Sequence, residues 1–381
     1  MKRSIYIMGS PKIFYFFGGA LIVILSVFTF LFGCTKKEDV IKIGIAGPMS
    51  GDQAKMGLDF KNGVELALSE WNEKGGVLGK KIKMMVSDDQ HDPKQAVSVA
   101  NKMVNAGVVG VIGHFNSSCS IPASDVYYRA RIPMITPAST NPQLTEKGYN
   151  NVFRVCGRDD QQGKVAAEFV INTLKIKKIA ILHDKTTYGQ GLAAEFKQSL
   201  GDKVEVLYYG GIIQGDKDFK AVLTAVKRKE PQLIYFGGIY PEAGLLVKQA
   251  RELALKSPFM SGDGVIDPKF IEIAGPSAEG TYLTFSPDPM NIPTAKRFLE
   301  NYNRLYGPHG PYSIYAYDAT NILLTAIKEA GTTDGNKVSE KLHTLEFKGA
   351  LGTIKFDKKG DVTVSPYVVW ITKDGKFVEY K

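Results

Sequence analysis

The stretch Val40-Ile41-Lys42-Ile43-Gly44-Ile45-Ala46-Gly47-Pro48 decides the fold. Its apolar run predicts a buried β-strand closed by the turn Gly47-Pro48. Directly after it, Met56, Phe60, Val64, Ala67, Leu68 and Trp71 fall at helical spacing, so a helix with one buried face follows until Gly75-Gly76 stops it. The same alternation then repeats. Ile82 to Val86 predicts a strand, and Asp92-Pro93 opens a helix, with Asp92 as its cap and Pro93 in its first turn. Val108 to Ile112 is a strand, followed by a Ser-rich turn and a helix through Tyr127, and Ile132 to Thr136 is the next strand. Repeated strand-helix units build a parallel sheet with helices on both faces.

A second series begins near Val165. Helix Lys164 to Leu174 leads to strand Lys178 to His183, loop Asp184 to Tyr188 and helix Gly191 to Leu200. Strand Val204 to Tyr209, helix Phe219 to Arg228, strand Gln232 to Phe236, helix Glu242 to Leu253 and strand Phe259 to Ser261 complete it. The expected fold class is therefore α/β, with two doubly wound parallel-sheet lobes. The Pro-rich stretch Pro287 to Pro293 reads as a connection between lobes, and a long helix over about Tyr315 to Ala330 follows. The tail from Thr353 to Tyr380 reads as strands with turns at Lys359-Gly360 and Asp374-Gly375.

The beginning of the chain is of another kind. Lys2, Arg3 and Lys12 precede an uncharged apolar run, Ile13 to Phe32, that ends at Gly33-Cys34 and is followed by Lys36, Lys37, Glu38 and Asp39. This is the layout of a secretory signal peptide over residues 1–33. A cysteine after a small residue fits a bacterial lipoprotein signal, with Cys34 carrying the lipid and becoming the new N-terminus. The competing reading is a retained transmembrane helix, since the run is long enough to span a bilayer. In both readings the folded part lies outside the cytoplasm, periplasmic or at the cell surface, tethered to a membrane. Two cysteines remain beyond the leader, Cys119 and Cys156, and either a disulfide or two buried thiols is compatible with that compartment.

Composition narrows the function. The 381 residues are 44% hydrophobic and 23% charged, enough apolar material for two cores. Removing the leader lowers the net charge from +9 to +6. The basic residues are interspersed with acids and form no stripe with aromatics, which argues against a nucleic-acid partner. Gly189-Gln190-Gly191-Leu192-Ala193-Ala194 matches a dinucleotide fingerprint, but Asp184 to Tyr188 separate it from the strand, and no acid closes the next strand at Tyr208-Tyr209-Gly210. Asp88, Asp89, His91 and Asp92 read as a capped loop rather than a metal site, because Pro93 makes Asp92 a helix cap. No P-loop, nucleophile elbow or zinc spacing is present, so neither catalysis, a cofactor nor a metal is expected.

Ligands of open α/β sheets bind beyond the carboxyl ends of the strands. Three such ends carry suitable groups. Gly113-His114-Phe115-Asn116-Ser117-Ser118 precedes a helix and offers hydroxyls and free N–H groups to an anion such as an α-carboxylate. Thr136-Pro137-Ala138-Ser139-Thr140 offers a carbonyl and another hydroxyl. Gly262-Asp263-Gly264, in the second series, exposes an acid that can hold an ammonium group. Together they suit a zwitterion held between two lobes.

At these residues the chain resembles the leucine/isoleucine/valine-binding proteins that serve ABC importers, over essentially all of residues 39–381. The resemblance rests on Asp88-Asp89-Gln90-His91-Asp92-Pro93-Lys94-Gln95-Ala96-Val97, Gly113 to Ser118, Pro122-Ala123-Ser124-Asp125 and Met134-Ile135-Thr136-Pro137-Ala138. His183-Asp184-Lys185-Thr186-Thr187-Tyr188-Gly189 and Ser277-Ala278-Glu279-Gly280 carry it through the second series. It implies a type I periplasmic binding protein fold with a three-crossover hinge: lobe 1 from residues 34–158 and 287–365, lobe 2 from 159–286 and 366–381. It assigns Ser117, Ala138 and Thr140 to the ligand's carboxylate and ammonium, Asp263 to the ammonium partner that is more usually glutamate, and Tyr188, Phe115 and Tyr312 to the apolar wall. Met56 stands where the family has an aromatic, and Ile239, beside Tyr240, where it has a tyrosine. His91 and Asn116 replace a cysteine pair that bridges two loops in close relatives. The implied function is capture of a branched-chain aliphatic amino acid by a monomer that then docks on a membrane permease. The alternatives are an amide, urea-like or aromatic-acid solute in the same fold, or a sensory module.

Overall fold

In the first sheet five parallel strands lie in the order β2-β1-β3-β4-β5. They are β1 (Ile41–Gly47), β2 (Ile82–Asp88), β3 (Gly110–Gly113), β4 (Met134–Thr136) and β5 (Val152–Arg154). The computed structural model describes Gly9 and residues 39–381. The expected signal segment and Cys34 lie outside the described residues. Helices α1 (Ala54–Glu73), α2 (Pro93–Asn105), α3 (Ser117–Ala130) and the short α4 (Gln143–Glu146) alternate with these strands. The strand order places β1 inside the sheet, which is why Ile41, Ile43 and Ile45 are all buried. Asp92 caps α2 as expected, accepting the Gln95 N–H at 2.7 Å.

The chain then leaves this sheet for a second one. Helix α5 (Asp159–Glu168) leads to β6 (Lys178–His183), α6 (Thr187–Leu200), β7 (Glu205–Gly211), α7 (Lys220–Lys227) and β8 (Leu233–Gly237). Next come α8 (Tyr240–Glu252), β9 (Phe259–Ser261), α9 (Pro268–Ala274) and β10 (Tyr282–Phe285). Helices α10 (Lys296–Tyr306), α11 (Ser313–Ala330) and α12 (Gly335–Thr344) and the hairpin β11 (Phe347–Gly349) with β12 (Gly352–Ile354) follow. Helix α11 packs on α1 of the first lobe, where Trp71 Nε1 donates to Asn321 Oδ1 at 2.8 Å. Strands β13 (Val368–Lys373) and β14 (Lys376–Glu379) return to the second sheet, ordered β14-β13-β10-β9-β8-β6-β7. The chain passes between sheets after β5, after β10 and before β13. Asp374 and Gly375 both take positive φ and close the last hairpin, as their turn signal predicts.

The structure corrects several boundaries. The helix expected from Lys164 begins at Asp159, because its first turn carries the acids Asp159 and Asp160 rather than apolar residues, and acids favour a helix N-terminus. The helix expected from Gly191 begins at Thr187, so Gly189 and Gly191 lie inside α6 rather than ahead of it. Their role is close packing. A Cβ on Gly189 would fall 2.3 Å from Asp184 Oδ1, and one on Gly191 2.3 Å from Asn141 Nδ2. Strands β5 and β10 were not anticipated; β5 is held by pairing with β4, and β10 by pairing with β9 and β13.

Candidate functional site

The cleft between the sheets is built from strand ends. Beyond β3, residues Phe115 and Asn116 lead into α3, which starts at Ser117. The first N–H groups of a helix have no acceptor within it, so this end presents donors to the cleft. Asn116 Nδ2 donates to Gln53 Oε1 at 2.9 Å, and Ser117 Oγ accepts from the Asn141 N–H at 3.2 Å. Beyond β4 come Ala138, Ser139 and Thr140, and beyond β9 on the second lobe comes Asp263.

A small cavity lies where these ends meet. Its wall includes Met56, Phe115, Ser117, Ala138, Tyr188, Ile239, Asp263 and Tyr312, all buried. A second small space shares Asp263 and Tyr312 in its wall and adds Thr140. Phe115 and Tyr312 meet edge to face at 5.1 Å, and Phe285 packs on Tyr312 in the same way at 5.5 Å, which fixes an aromatic wall.

Asp263 is the chemical centre of this space. Tyr188 Oη donates to its Oδ1 at 2.8 Å, Tyr312 Oη donates to its Oδ2, and the Gly264 N–H donates to Tyr188 Oη at 2.9 Å. Burial raises the pKa of Asp263, and the hydrogen bonds from Tyr312, Tyr188 and Gln162 pull it partly back. Burial also pushes both phenols upward, with the Asp263 charge adding to it, so they stay protonated donors. The wall mixes apolar and neutral polar groups, with one acid and a helix N-terminus as its charged features.

Not every expected residue reaches the cavity. Ser139 turns inward, its Oγ donating to Phe115 O at 2.9 Å and lying 2.6 Å from Ser120 Oγ, so it braces the two loops. Tyr240 stands beside the cavity and spans the lobes, its hydroxyl donating to Asp52 O. Further bonds join the lobes: Asn141 Nδ2 to Thr187 O at 2.8 Å, Gln214 Nε2 with His91 Nδ1 at 2.8 Å, and Lys217 Nζ with Asp52 Oδ2 at 3.0 Å. With these side-chain contacts across the cleft among the described residues, and that of Tyr312 with Asp263, the structure is a closed form. Cys119 and Cys156 are both buried free thiols. Gln53, Asn116 and Gly264 line the cavity without having been singled out as ligand contacts. Asn116 and Gly264 sit in quoted strand-end segments, so their position was the available signal.

A family model described as "Periplasmic binding protein" matches residues 40–376. The chain belongs to the periplasmic binding protein family. It is a solute-binding protein rather than an enzyme. Among curated relatives, a "Leu/Ile/Val-binding protein homolog 2" of Brucella abortus is 43% identical over 350 residues, covering 91% of this chain and 94% of that one. A crystal structure of a leucine-binding protein from Thermotoga maritima superposes with a TM-score of 0.84 at 32% identity, over 90% of this chain and 98% of that chain. A branched-chain amino acid transporter substrate-binding protein from Streptococcus pneumoniae, in complex with isoleucine, gives a TM-score of 0.82 at 29% identity, over 90% and 100%. In this periplasmic binding protein the cavity wall draws on both sheets' strand ends, Phe115 and Ala138 from the first and Asp263 from the second.

Proposed function

We propose that this protein is the binding component of an ABC importer and captures a branched-chain aliphatic amino acid as its zwitterion. The observation that carries this is Asp263, the buried acid in the wall of an interlobe cavity that also takes in the N-terminus of α3. The α-carboxylate meets Ser117 and the N–H groups that open α3, while the α-ammonium meets Ala138 O, Thr140 Oγ1 and Asp263. The side chain fills the space among Phe115, Met56, Ile239, Tyr188 and Tyr312. The names of the relatives support this ligand class.

Capture follows from the geometry. The open protein offers the lobe-1 half-site, and closure adds Asp263, Tyr188 and the interlobe bonds, so ligand shifts the hinge toward the closed state. A charge-assisted hydrogen bond to a buried acid contributes about 1.5–3 kcal/mol net, and full burial of an aliphatic side chain a further ~1.5–3 kcal/mol. Export by the leader, tethering through lipid on Cys34, a monomeric state and hand-over to a membrane permease complete the reading. Among the described residues no helix is long and apolar enough to cross a membrane. The test is a thermal-shift panel of leucine, isoleucine, valine, alanine, phenylalanine and simple amides. Saturating ligand at about 100 times its Kd stabilises by roughly 2.7 kcal/mol.

A further inference from the structure

Behind the ammonium site stands a second buried acid that none of the roles above uses. Asp159 opens α5, its N–H donates to Thr140 O at 3.0 Å, and its side chain is fully buried. Neither carboxylate oxygen has a hydrogen-bond partner among the described residues. The same holds for Thr140 Oγ1, Gln162 Oε1 and Tyr235 Oη, all buried. Gln162 is fixed by its other end, Nε2 donating to Thr284 O at 2.8 Å. Arg154, the buried cation near Asp159, is committed elsewhere, to Asp361, Thr145 and the carbonyls of Ser139 and Asn141. An acid held this way costs stability, and the fold returns nothing for it. Burial and the neighbouring Asp263 charge drive its pKa up, and the facing Thr140 hydroxyl is the main group opposing them.

We infer that Asp159 is a positioning residue for the ligand's ammonium: it takes the proton side of the Thr140 hydroxyl and so turns the Thr140 oxygen lone pairs toward the ligand beside Asp263. A hydroxyl can donate in one direction only. Without an acceptor behind it, Thr140 is free to point its hydrogen at the cationic group and repel it. The two residues already meet through the Asp159 N–H and Thr140 O at 3.0 Å, and rotation about the Thr140 Cα–Cβ bond turns the hydroxyl toward the carboxylate. Asp159 itself stays one layer back from the ligand. The inference rests on the amino-acid reading above.

The test is a double-variant cycle on the full chain in detergent, with leucine affinity measured by calorimetry and thermal midpoint measured without ligand. Wild-type binding of leucine comes first; its absence counts against the amino-acid reading, whatever Asp159 does. Given that binding, Asp159→Ala and Thr140→Val each weaken affinity on the order of tenfold or more. The pair together is no worse than the weaker-binding single variant. Asp159→Asn, which keeps an acceptor for Thr140, stays within about threefold of wild type. The ligand-free thermal midpoint of Asp159→Ala is not lowered, which separates positioning from a structural role; if the alanine cavity costs the fold, Asp159→Val takes its place in the cycle. Unchanged affinity on removing the acid, additive losses in the pair, or an asparagine variant as weak as the alanine one would overturn the inference.

Discussion

Asp263 accepts one hydrogen bond from Tyr188 of its own lobe, at 2.8 Å, and a second from Tyr312 across the cleft. The acid is therefore held from both sides, and its carboxylate is fixed where the two lobes meet. Removing it as Asp263→Ala takes away the only acid among the described residues that line the main cavity. Amino-acid affinity then falls on the order of tenfold to a hundredfold or more, the equivalent of about 1.5–3 kcal/mol. The circular dichroism of the fold is retained. Calorimetric titration checks this, and an unaltered affinity would remove Asp263 from the site.

The Tyr240 hydroxyl reaches Asp52 O from the opposite lobe, outside the main cavity. Loss of one neutral hydrogen bond costs about 0.5–1.5 kcal/mol. Because this bond exists only when the lobes meet, Tyr240→Phe weakens the closed state and speeds ligand release by about two- to tenfold. Stopped-flow dissociation resolves the effect. A variant whose release rate matches wild type would show that this contact contributes nothing to closure.

Asp318, buried in α11, accepts the N–H groups of Ala350 at 2.9 Å and Leu351 at 2.7 Å, yet burial lifts its pKa to about 7. The folded chain thus keeps a proton that the unfolded chain releases near pH 3.9, the ordinary aspartate value. Between about pH 4 and pH 7 the folded state binds more protons than the unfolded state, so this group's contribution to stability falls as pH rises. Asparagine does not titrate. Asp318→Asn therefore gains on wild type across that window, read as urea midpoints at several pH values; a difference constant with pH contradicts the assignment.

Arg154 is fully buried and makes four hydrogen bonds, among them Nε to Asp361 Oδ1 at 2.6 Å and Nη2 to Thr145 Oγ1 at 2.7 Å. Burial alone would raise the pKa of Asp361, yet Arg154 and Arg158 hold it below the usual range. Removing one partner of a buried ion pair leaves the other uncompensated, so Arg154→Leu destabilises by about 3–5 kcal/mol. Chemical denaturation measures it, and a loss under ~1 kcal/mol would mean that Arg158 alone suffices.

Sequence patterning carried the fold because its signals are long. Ile41 to Gly47 and the apolar face of α1 extend over enough residues for their periods to show, and Asp92-Pro93 marks a helix start by local chemistry. Short strands such as Val152–Arg154 are defined by their neighbours in the sheet, and no period fits within three residues. The cavity wall was legible where it lies at strand ends, as at Ser117, Ala138 and Asp263. It was not legible where long-range pairing decides orientation: Ser139 turns to Ser120, and Tyr240 crosses to Asp52. Asp159 follows the unanticipated strand β5, so its place at a strand end went unseen.

The central claim is that an aliphatic amino acid occupies the cavity around Asp263. Isothermal titration of the purified protein with leucine, isoleucine and valine tests it most directly. The expected result is saturable binding of one molecule per chain by at least one of the three, lost in Asp263→Ala. Flat titrations with all three, from protein that remains folded, would contradict it.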